Sequence, residues 1–395
     1  MSARRVVATA GFVGALIVCA SGCGFDGPVL SPAAGSFGAG TGVFAGQEFT
    51  CALAGGRARC FGANVDGALG SGDEATHLAP VAVAAAVGFD RLAAGQNHAC
   101  GLEHGTGAVW CWGYNASGQL GVGDTTARDA PVRLAQPGSA IALAAGYNHA
   151  CAVAADHALW CWGDNTEGQL GQADLPGAPN ALQPVRVGGD SDWLGVAGGQ
   201  GHTCGVRAPG TMWCWGRNTQ LELAAAPSDQ QVRTPTQVGT FTDWTAALDV
   251  GQDSSCGIRA DGTFWCWGDN RFGQLGAPPE TAPVGSPRQV GSQPGWVAIS
   301  IDAFASCGVR SDGGLWCWGR NAEGQLGTGD TADRYAPATV GPPSGWASVS
   351  VGRFHTCALR TSGDLACTGE NSNGQLGLGD TARRDALTPV PLPAL

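Results

Sequence analysis

Cysteine is the residue type whose spacing in this 395-residue sequence most clearly indicates chemistry. Fourteen of the 16 cysteines form seven pairs whose members are 9 to 11 positions apart, and the pairs recur every 49 to 53 residues. Paired thiols of this kind can form disulfides, or they can bind zinc together with nearby histidines. The pairs are Cys51 and Cys60, Cys100 and Cys111, Cys151 and Cys161, Cys204 and Cys214, Cys256 and Cys266, Cys307 and Cys317, and Cys357 and Cys367.

Disulfide bonds explain these pairs better than zinc binding does. A histidine two residues before the first cysteine occurs in only four repeats, and the sequence contains no Cys-x-x-Cys motif. Disulfides also persist in the oxidising surroundings of an exported protein. We therefore predict one disulfide in each repeat and no metal site. The four histidines are His98, His149, His202 and His355.

The residues between paired cysteines predict a β-hairpin. Apolar and polar residues alternate, and turn-forming pairs such as Asp261-Gly262 lie near the midpoint. If the two cysteines of a pair lie directly opposite each other, each tryptophan of a Trp-Cys-Trp motif faces a small residue, as Trp213 faces Gly205. This register places each indole flat across the neighbouring strand and brings the two sulfurs within disulfide reach.

The seven hairpins belong to longer repeats that indicate the whole fold. Each repeat continues into Gly-x-Asn, and most contain Gly-Gln-Leu-Gly as well. An apolar segment that begins at a large residue such as Trp193 precedes most hairpins, and a connecting strand follows. Four short strands per repeat predict an all-β, seven-bladed β-propeller with four-stranded antiparallel blades. The sequence of the first repeat, near Val43, shows no first strand, so we expect the C-terminal segment 386–392 to complete that blade and close the ring.

The first 42 residues have the composition of an export signal and a tether. Two arginines precede an apolar run of fifteen residues, which is too short for a membrane-spanning helix. Residues 20–23, Ala-Ser-Gly-Cys, resemble the lipobox of bacterial lipoproteins, in which the signal peptide is cut before a cysteine that is then lipidated. We therefore expect a signal peptide at 1–22, a lipidated Cys23 with a flexible linker at 23–42, and the propeller at 43–395. Secretion without a lipid anchor is the alternative.

The repeats resemble those of the regulator of chromosome condensation family, whose members are seven-bladed β-propellers. The family signature contains Gly-x-x-His, Trp-x-Trp-Gly-x-Asn and Gly-Gln-Leu-Gly, and it reads here from Gly146 to Val153 and from Trp160 to Gly171. The paired cysteines are not a general feature of that family. The fourth repeat loses Gly-Gln-Leu-Gly between Asn218 and Leu223, and the fifth has Ala277-Pro278-Pro279 in place of Gly-Asp.

Charge argues against binding to nucleic acid. All 21 basic residues are arginine, the formal net charge is −11, and no basic run is longer than two residues. The resemblance implies nucleotide exchange on a small GTPase for the founding member of the family. An exported, acidic chain does not suit that activity.

No group of residues indicates an enzyme. The sequence lacks a Gly-x-Ser-x-Gly nucleophile elbow and a phosphate-binding loop. The four histidines recur at one position of the repeat, which indicates packing. The aspartates of the Gly-Asp motifs are interpreted as loop caps, with calcium binding as the alternative. These aspartates are Asp73, Asp124, Asp330 and Asp380. We predict a protein that is not an enzyme and that needs no cofactor.

The sequence therefore predicts a monomeric, rigid scaffold, anchored to the outer membrane or cell surface by lipid, that binds an unidentified protein or envelope ligand. Secreted propellers that resemble this chain include an inhibitor of β-lactamases, so an enzyme inhibitor or a secreted enzyme is the alternative. Binding of sugars or cell wall through aromatic side chains is a further one.

One position of each repeat, between the glycine and asparagine of Gly-x-Asn, varies in chemistry and is expected to be exposed on one rim. Tyrosine and arginine are frequent at the energetic centres of interfaces. We therefore predict Tyr114, Arg217 and Arg320 as residues that contact a partner. The other four members of this set are Ala63, Asp164, Asp269 and Glu370.

Overall fold

The computed structural model describes residues 40–172, 180–224 and 231–392. These residues form 28 β-strands in seven sheets, each of four antiparallel strands, and their single helical element is a 3-10 turn at Val65–Gly67. The predicted all-β, seven-bladed propeller is confirmed. The signal peptide, Cys23 and all but the end of the linker lie outside the described residues. No helix in the described ranges is long and apolar enough to cross a membrane.

Each blade is a meander in which four consecutive strands lie side by side. The first strands surround a central channel: β1 (Gly42–Ala45), β5 (Phe89–Ala94), β9 (Ala140–Ala145), β13 (Trp193–Gly198), β17 (Trp244–Val250), β21 (Trp296–Ile301) and β25 (Trp346–Val351). The second strands are β2 (Phe49–Ala54), β6 (His98–Glu103), β10 (His149–Ala154), β14 (His202–Arg207), β18 (Ser254–Arg259), β22 (Ala305–Arg310) and β26 (His355–Arg360).

The third and fourth strands form the outer half of each blade. The third strands are β3 (Arg57–Gly62), β7 (Val109–Gly113), β11 (Leu159–Asp164), β15 (Thr211–Gly216), β19 (Phe264–Gly268), β23 (Leu315–Gly319) and β27 (Leu365–Gly369). The fourth strands are β4 (His77–Ala82), β8 (Arg128–Arg133), β12 (Asn180–Arg186), β16 (Val232–Gln237), β20 (Val284–Gln289), β24 (Arg334–Thr339) and β28 (Arg384–Pro389).

The predicted hairpin register is confirmed between the second and third strands. Trp213 lies opposite Gly205, and the indoles of the other Trp-Cys-Trp repeats likewise face small residues. The two cysteines of each pair lie directly opposite, with Cα atoms 4.0 to 4.2 Å apart and their sulfurs within bonding distance. This short Cα separation is typical of a non-hydrogen-bonded pair in an antiparallel sheet.

Hydrophobic packing occurs mainly between neighbouring blades. The buried side chains form seven clusters, and a typical one joins Cys151 and Leu159 of the third blade to Trp193 and Trp215 of the fourth. Those two indoles meet edge to face with ring centroids 5.7 Å apart. The large residue that opens most of the innermost strands therefore joins one blade to the next through apolar contact.

The C-terminal strand does not complete the first blade, contrary to the expectation from sequence. Strand β28 pairs with β27 at the outer edge of the seventh blade, whereas β1 supplies the innermost strand of the first blade. The short, glycine-containing sequence of β1 concealed it. The first and seventh blades meet through side chains instead: the Ala45 N–H donates to Ser350 Oγ at 2.8 Å, and Val43 belongs to the same buried cluster as Leu359.

Candidate binding surface

The meander places two kinds of loop at each end of the ring. The turns between first and second strands and the loops after third strands lie at one end, which we call the mouth rim. The hairpin turns between second and third strands and the connections between blades lie at the other end, which we call the hairpin rim. Because every blade has the same topology, a given repeat position lies on the same rim in all seven blades.

The variable position of Gly-x-Asn lies on the mouth rim in every blade. Its backbone N–H donates to the carbonyl of the residue three positions before the first cysteine, at 2.8 to 2.9 Å. These bonds join Tyr114 to Asn97, Arg217 to Gly201 and Arg320 to Phe304. The three predicted contact residues therefore share one rim, although they belong to different blades.

The asparagine of Gly-x-Asn fixes the loop that follows it. Its side-chain carbonyl accepts the N–H of the leucine five residues later in all seven blades, at 2.8 to 3.0 Å. In four blades its amide also donates to the aspartate of Gly-Asp, as Asn115 donates to Asp124. The mouth rim thus has nearly the same backbone seven times over, with different side chains upon it.

The Gly-Asp aspartates act as loop caps, as the sequence indicates. Asp124 pairs with Arg128 at 2.7 Å and also accepts the Thr126 N–H, and the hydrogen bond from Arg128 lowers the pKa of the Asp124 carboxyl. Asp330 and Asp380 have equivalent arginine partners, and Asp73 has His77. Within the described ranges, no group of three or more histidine, cysteine, aspartate or glutamate side chains is arranged to hold a metal ion.

The fourth blade keeps the loop geometry although its sequence lacks the Gly-Gln-Leu-Gly motif. The Leu223 N–H still bonds to Asn218 Oδ1 at 3.0 Å, and Leu221 adopts the left-handed backbone (φ 57°) that glycine adopts in other blades. Glu222 is fully buried in place of the usual glutamine, and burial raises the pKa of its carboxyl. In the fifth blade, the Pro278 carbonyl accepts the hydrogen bond from the Asn270 amide instead of an aspartate.

Arg217 is an internal ion-pair partner in this structure. Its side chain is 16% exposed, pairs with Glu222 at 3.0 Å and also contacts Asp253. The replacement of glutamine by Glu222 and the arginine at the variable position therefore belong together. Two other members of the variable set were expected to be exposed and are not: Ala63 and Asp269 are buried. Exposure at this position differs from blade to blade.

Arg320 belongs to a cluster of aromatic and cationic side chains that sequence reasoning missed. Its guanidinium lies 5.2 Å from the ring centroid of Phe304 and 5.5 Å from that of Phe354, and these two rings stack 5.6 Å apart. Phe272 meets Phe304 edge to face at 5.2 Å, and Arg353 lies over Phe354 at 5.1 Å. We call these five residues the Phe–Arg patch. All five are partly exposed on the mouth rim or beside it.

The central channel encloses a cavity of about 450 Å³ bounded by the innermost strands. Asp249 and Asp302 line it, and burial raises the pKa of these carboxyls to about 6 and about 7 respectively. Asp249 accepts the Ile301 N–H at 2.9 Å, and the Tyr147 hydroxyl donates to Asp302 at 3.4 Å. Asp249 therefore connects the neighbouring fifth and sixth blades, whereas the contact between Tyr147 and Asp302 connects the third blade to the sixth across the ring. Sequence reasoning did not single them out.

The repeated histidines join each blade to the next, which confirms their structural interpretation in three cases. His149 Nε2 lies 2.8 Å from Thr203 Oγ1, and that hydroxyl donates to the Gln169 carbonyl at 2.8 Å. Since the hydroxyl proton is used in the second bond, Nε2 must donate in the first. Burial lowers the pKa of His149 to about 3, so its ring is neutral. The pairs His202 with Ser255 and His355 with Thr50 repeat the arrangement.

His98 is the exception among the four. In the other three cases the hydroxyl belongs to the residue immediately before the first cysteine of the next blade. For His98 the equivalent residue is Ala150, which has no hydroxyl. Both ring nitrogens of His98 are therefore buried without a hydrogen-bond partner in the described part of the chain. Burial lowers the pKa of His98 to about 4. No metal ligand set accompanies any of the four rings in the described residues.

Comparison with known proteins gives matches along most of the propeller. Two family models, both described as regulator of chromosome condensation (RCC1) repeat, match the chain. One covers residues 106–153, 156–206, 261–308 and 312–359. The other covers residues 89–119, 140–169, 194–220, 246–274, 296–325 and 346–375.

Relatives and solved structures of several kinds are similar to the chain. It is 27% identical over 281 residues to the ultraviolet-B receptor UVR8 of Arabidopsis thaliana, which covers 68% of this chain and 62% of the receptor. It is 26% identical over 249 residues to the human E3 ubiquitin-protein ligase HERC2, which covers 60% of this chain and only 5% of the ligase.

The solved structures show the same fold at low identity. Yeast RCC1 (Prp20), solved bound to Kap60, gives a TM-score of 0.74 at 18% identity over 89% of this chain and 85% of that one. Human WBSCR16 gives a TM-score of 0.75 at 19% identity over 85% of this chain and 94% of that one.

Proposed function

Because the chain belongs to the regulator of chromosome condensation (RCC1) repeat family, we propose that it is a non-catalytic scaffold whose mouth rim binds a protein partner. One observation carries the proposal: seven loops of nearly constant backbone carry five different residue types at one position of that rim, and five of these seven side chains are partly exposed. A rigid backbone with variable side chains is the usual design of a recognition surface.

The relatives are consistent with this role. Yeast Prp20 was solved bound to Kap60, and its binding to Gsp1p and histones was studied together with its structure; all of these partners are proteins. The titratable groups of the described rim and channel are mostly engaged in contacts between blades or within loops, as Arg217 and Asp249 are. They form no nucleophile, base and orienting group of the kind that hydrolysis or group transfer needs.

We also propose that the propeller is exported and attached to a bacterial membrane through a lipid on Cys23. The lipobox-like residues 20–23, the preceding apolar run and the linker support this proposal. The Cys23→Ala variant should leave the membrane fraction or accumulate unprocessed. Cys19→Ala changes a neighbouring cysteine within the signal and is the matched control, which should stay anchored. Retention of the mature Cys23→Ala protein in the membrane would contradict the lipid anchor.

Binding by the mouth rim can be tested by site-specific photocrosslinking in cells that produce the protein. A crosslinking amino acid at Tyr114, on the mouth rim, should capture a discrete protein. The same group at Ser362, which is exposed on the hairpin rim, should not. Once the partner is isolated, Tyr114→Ala or Arg320→Ala should weaken its binding by at least about 2 kcal/mol, which is about 30-fold in Kd. Equal capture from both rims, or capture from the hairpin rim alone, would refute the proposed surface.

Arg217→Ala needs a separate interpretation in that experiment. Removal of its guanidinium leaves Glu222 buried without its cation and Asp253 without one of its partners. We expect this variant to lower the stability of the fourth and fifth blades. If Arg217→Ala loses binding, its melting temperature should also be lower. Tyr114→Ala and Arg320→Ala should leave the melting temperature nearly unchanged.

A further inference from the structure

We infer that the partner docks on the Phe–Arg patch and presents there a carboxylate next to an apolar side chain. This inference depends on the proposed function, because it names the part of the mouth rim that is used and the chemistry of the partner segment. The patch consists of Phe272, Phe304, Phe354, Arg320 and Arg353, which belong to three consecutive blades.

The fold does not require phenylalanine at these positions. Phe304 and Phe354 lie three residues before the first cysteine of their repeats. The other five blades have polar residues or glycine there, yet form the same turn and the same backbone bond to the variable position. These residues are Glu48, Asn97, Asn148, Gly201 and Asp253.

Phe272 shows the same departure. It lies two residues after the asparagine of Gly-x-Asn, where the other blades have Asp66, Ser117, Glu167, Gln220, Glu323 and Asn373. Polar side chains at both positions in the other blades indicate that this rim is normally solvated. Three partly exposed phenylalanines in contact on such a rim form an apolar surface that the repeat itself does not explain.

The two arginines of the patch are poorly neutralised. Arg353 makes no ion pair or side-chain hydrogen bond within the described residues, and its Nε is buried without an acceptor. Tyr147 and Asp302 lie near it, but burial raises the pKa of Asp302 to about 7, so that carboxyl is only partly ionised at neutral pH. Arg320 has one acidic neighbour, Glu323, at 3.7 Å, which is beyond hydrogen-bond distance.

Arginines on the hairpin rim provide a contrast. Arg207 and Arg259 also stack on aromatic rings, but each forms a close ion pair with a neighbouring aspartate, at 2.7 and 2.9 Å. Arg–aromatic stacks recur there at one repeat position in four consecutive blades, so they are part of the repeat. The Phe–Arg patch is irregular: Arg353 has no ion pair within the described residues, and Arg320 has only a long one with Glu323, at 3.7 Å. Arg310 and Arg360 of the hairpin rim also form no ion pair in that part of the chain, so the feature that sets the patch apart is the cluster of three phenylalanines beside its cations.

The chemistry of the patch defines what it would bind. A guanidinium held against ring faces keeps its N–H groups in a fixed direction, and carboxylate oxygens accept such groups well. The partly exposed rings beside it offer contact to an apolar side chain. The chain has a net charge of −11, so a partner must bring its negative charge to a local cationic site. A peptide segment with aspartate or glutamate beside leucine, phenylalanine or tryptophan meets both requirements.

The test uses a phage-displayed library of random dodecapeptides, selected on the oxidised full chain. The selected peptides should be enriched in an acidic residue adjacent to a large apolar one. Affinity for one such peptide, labelled with fluorescein, should fall at least ten-fold in Phe304→Asn/Phe354→Asn and in Arg320→Gln/Arg353→Gln. Asparagine is the residue that the second and third blades already have at the phenylalanine position, so the first variant should fold.

The matched control is Arg310→Gln/Arg360→Gln, which removes two ring-stacked arginines from the hairpin rim and should change the affinity less than two-fold. A peptide with its acidic residue replaced by the amide should bind the parent ten-fold more weakly but should lose no further affinity for Arg320→Gln/Arg353→Gln. Circular dichroism and free-thiol counts establish that each variant is folded and oxidised.

Three outcomes would overturn the inference: no peptide is selected, the selected peptides lack acidic residues, or they bind the patch variants as well as the parent. Phosphate groups of vesicles that contain phosphatidylglycerol are a rival anion. Binding of such vesicles through the patch, without binding of peptides, would also overturn it. The photocrosslinking experiment decides the proposed function separately, because a partner captured at Tyr114 whose binding survives both patch variants would leave the scaffold role intact.

Discussion

Replacement of a buried threonine by valine should lower the free energy of unfolding in one blade but not in another. The reason is that a histidine of the preceding blade bonds to the threonine hydroxyl in the first case and is absent in the second. Thr203 accepts a hydrogen bond from His149 and donates one to the Gln169 carbonyl, both at 2.8 Å. Thr356 occupies the same repeat position and is equally buried, but the preceding blade has Ala305 in place of histidine, and the Thr356 hydroxyl has no partner in the described residues.

The expected magnitudes follow from these contacts. Thr203→Val loses two hydrogen bonds, each worth about 1 kcal/mol net, and it leaves the His149 ring buried with neither nitrogen bonded, which costs about 1–3 kcal/mol. The additional methyl group returns about 1 kcal/mol, and the Gln169 carbonyl keeps its bond from Trp215 Nε1 at 2.9 Å. The free energy of unfolding should therefore fall by about 2–4 kcal/mol. Thr356→Val breaks no bond, so it should be neutral or should stabilise by up to about 1 kcal/mol.

The measurement is urea-induced unfolding of the oxidised protein, followed by tryptophan fluorescence, for the parent and both valine variants. Valine is nearly the same size as threonine, so packing differs little between the two substitutions. If the two variants are destabilised equally, the histidine–hydroxyl hydrogen bonds add nothing to stability beyond the packing change that both substitutions share. The structural role assigned to the histidines would then be wrong.

Three further results are expected. Ala150→Ser should supply the missing partner of His98 and raise the free energy of unfolding by about 1 kcal/mol, whereas Ala99→Ser, which has no histidine in the preceding blade, should lower it. The stability advantage of the parent over His149→Asn should shrink by about 2 kcal/mol between pH 6.5 and pH 5, because the neutral buried ring has its pKa lowered to about 3 and binds a proton only on unfolding. Peptide mapping without reduction should show all seven cysteine pairs oxidised within their own hairpins; free thiols or links between blades would contradict the register.

Much of the fold could be predicted from the sequence because its signals are local and occur seven times. The register of each hairpin follows from two cysteines and the tryptophans beside them, all within about a dozen residues, and the observed pairing of Trp213 with Gly205 is the predicted one. Local alternation and turn residues also predicted the strands of the blades, with the exception of β1 in the first blade. Repetition multiplied weak signals, since a pattern that is ambiguous once becomes clear when it recurs at a fixed spacing.

Ring closure was beyond this reasoning. Strand β1 has only four residues, two of them glycine and alanine, so its sequence carries almost no strand signal by itself. It forms because the second strand offers a row of unpaired backbone groups and the seventh blade offers an apolar surface. Both are supplied by residues distant in sequence, and the C-terminal strand consequently stays in its own blade.

The sequence by itself determined which positions lie on the mouth rim, because topology and a repeated turn fix that placement. Only the tertiary structure decided what each side chain does there. Arg217 and Arg320 occupy the same repeat position, yet one is paired with a buried glutamate and the other lies on exposed rings. The difference comes partly from Glu222, five residues after Arg217 in the same loop, and partly from the next blade, which places Asp253 beside Arg217 and Phe354 beside Arg320. The repeat pattern therefore predicts where a side chain lies, and the charge and burial of its neighbours in the folded protein determine what it contacts.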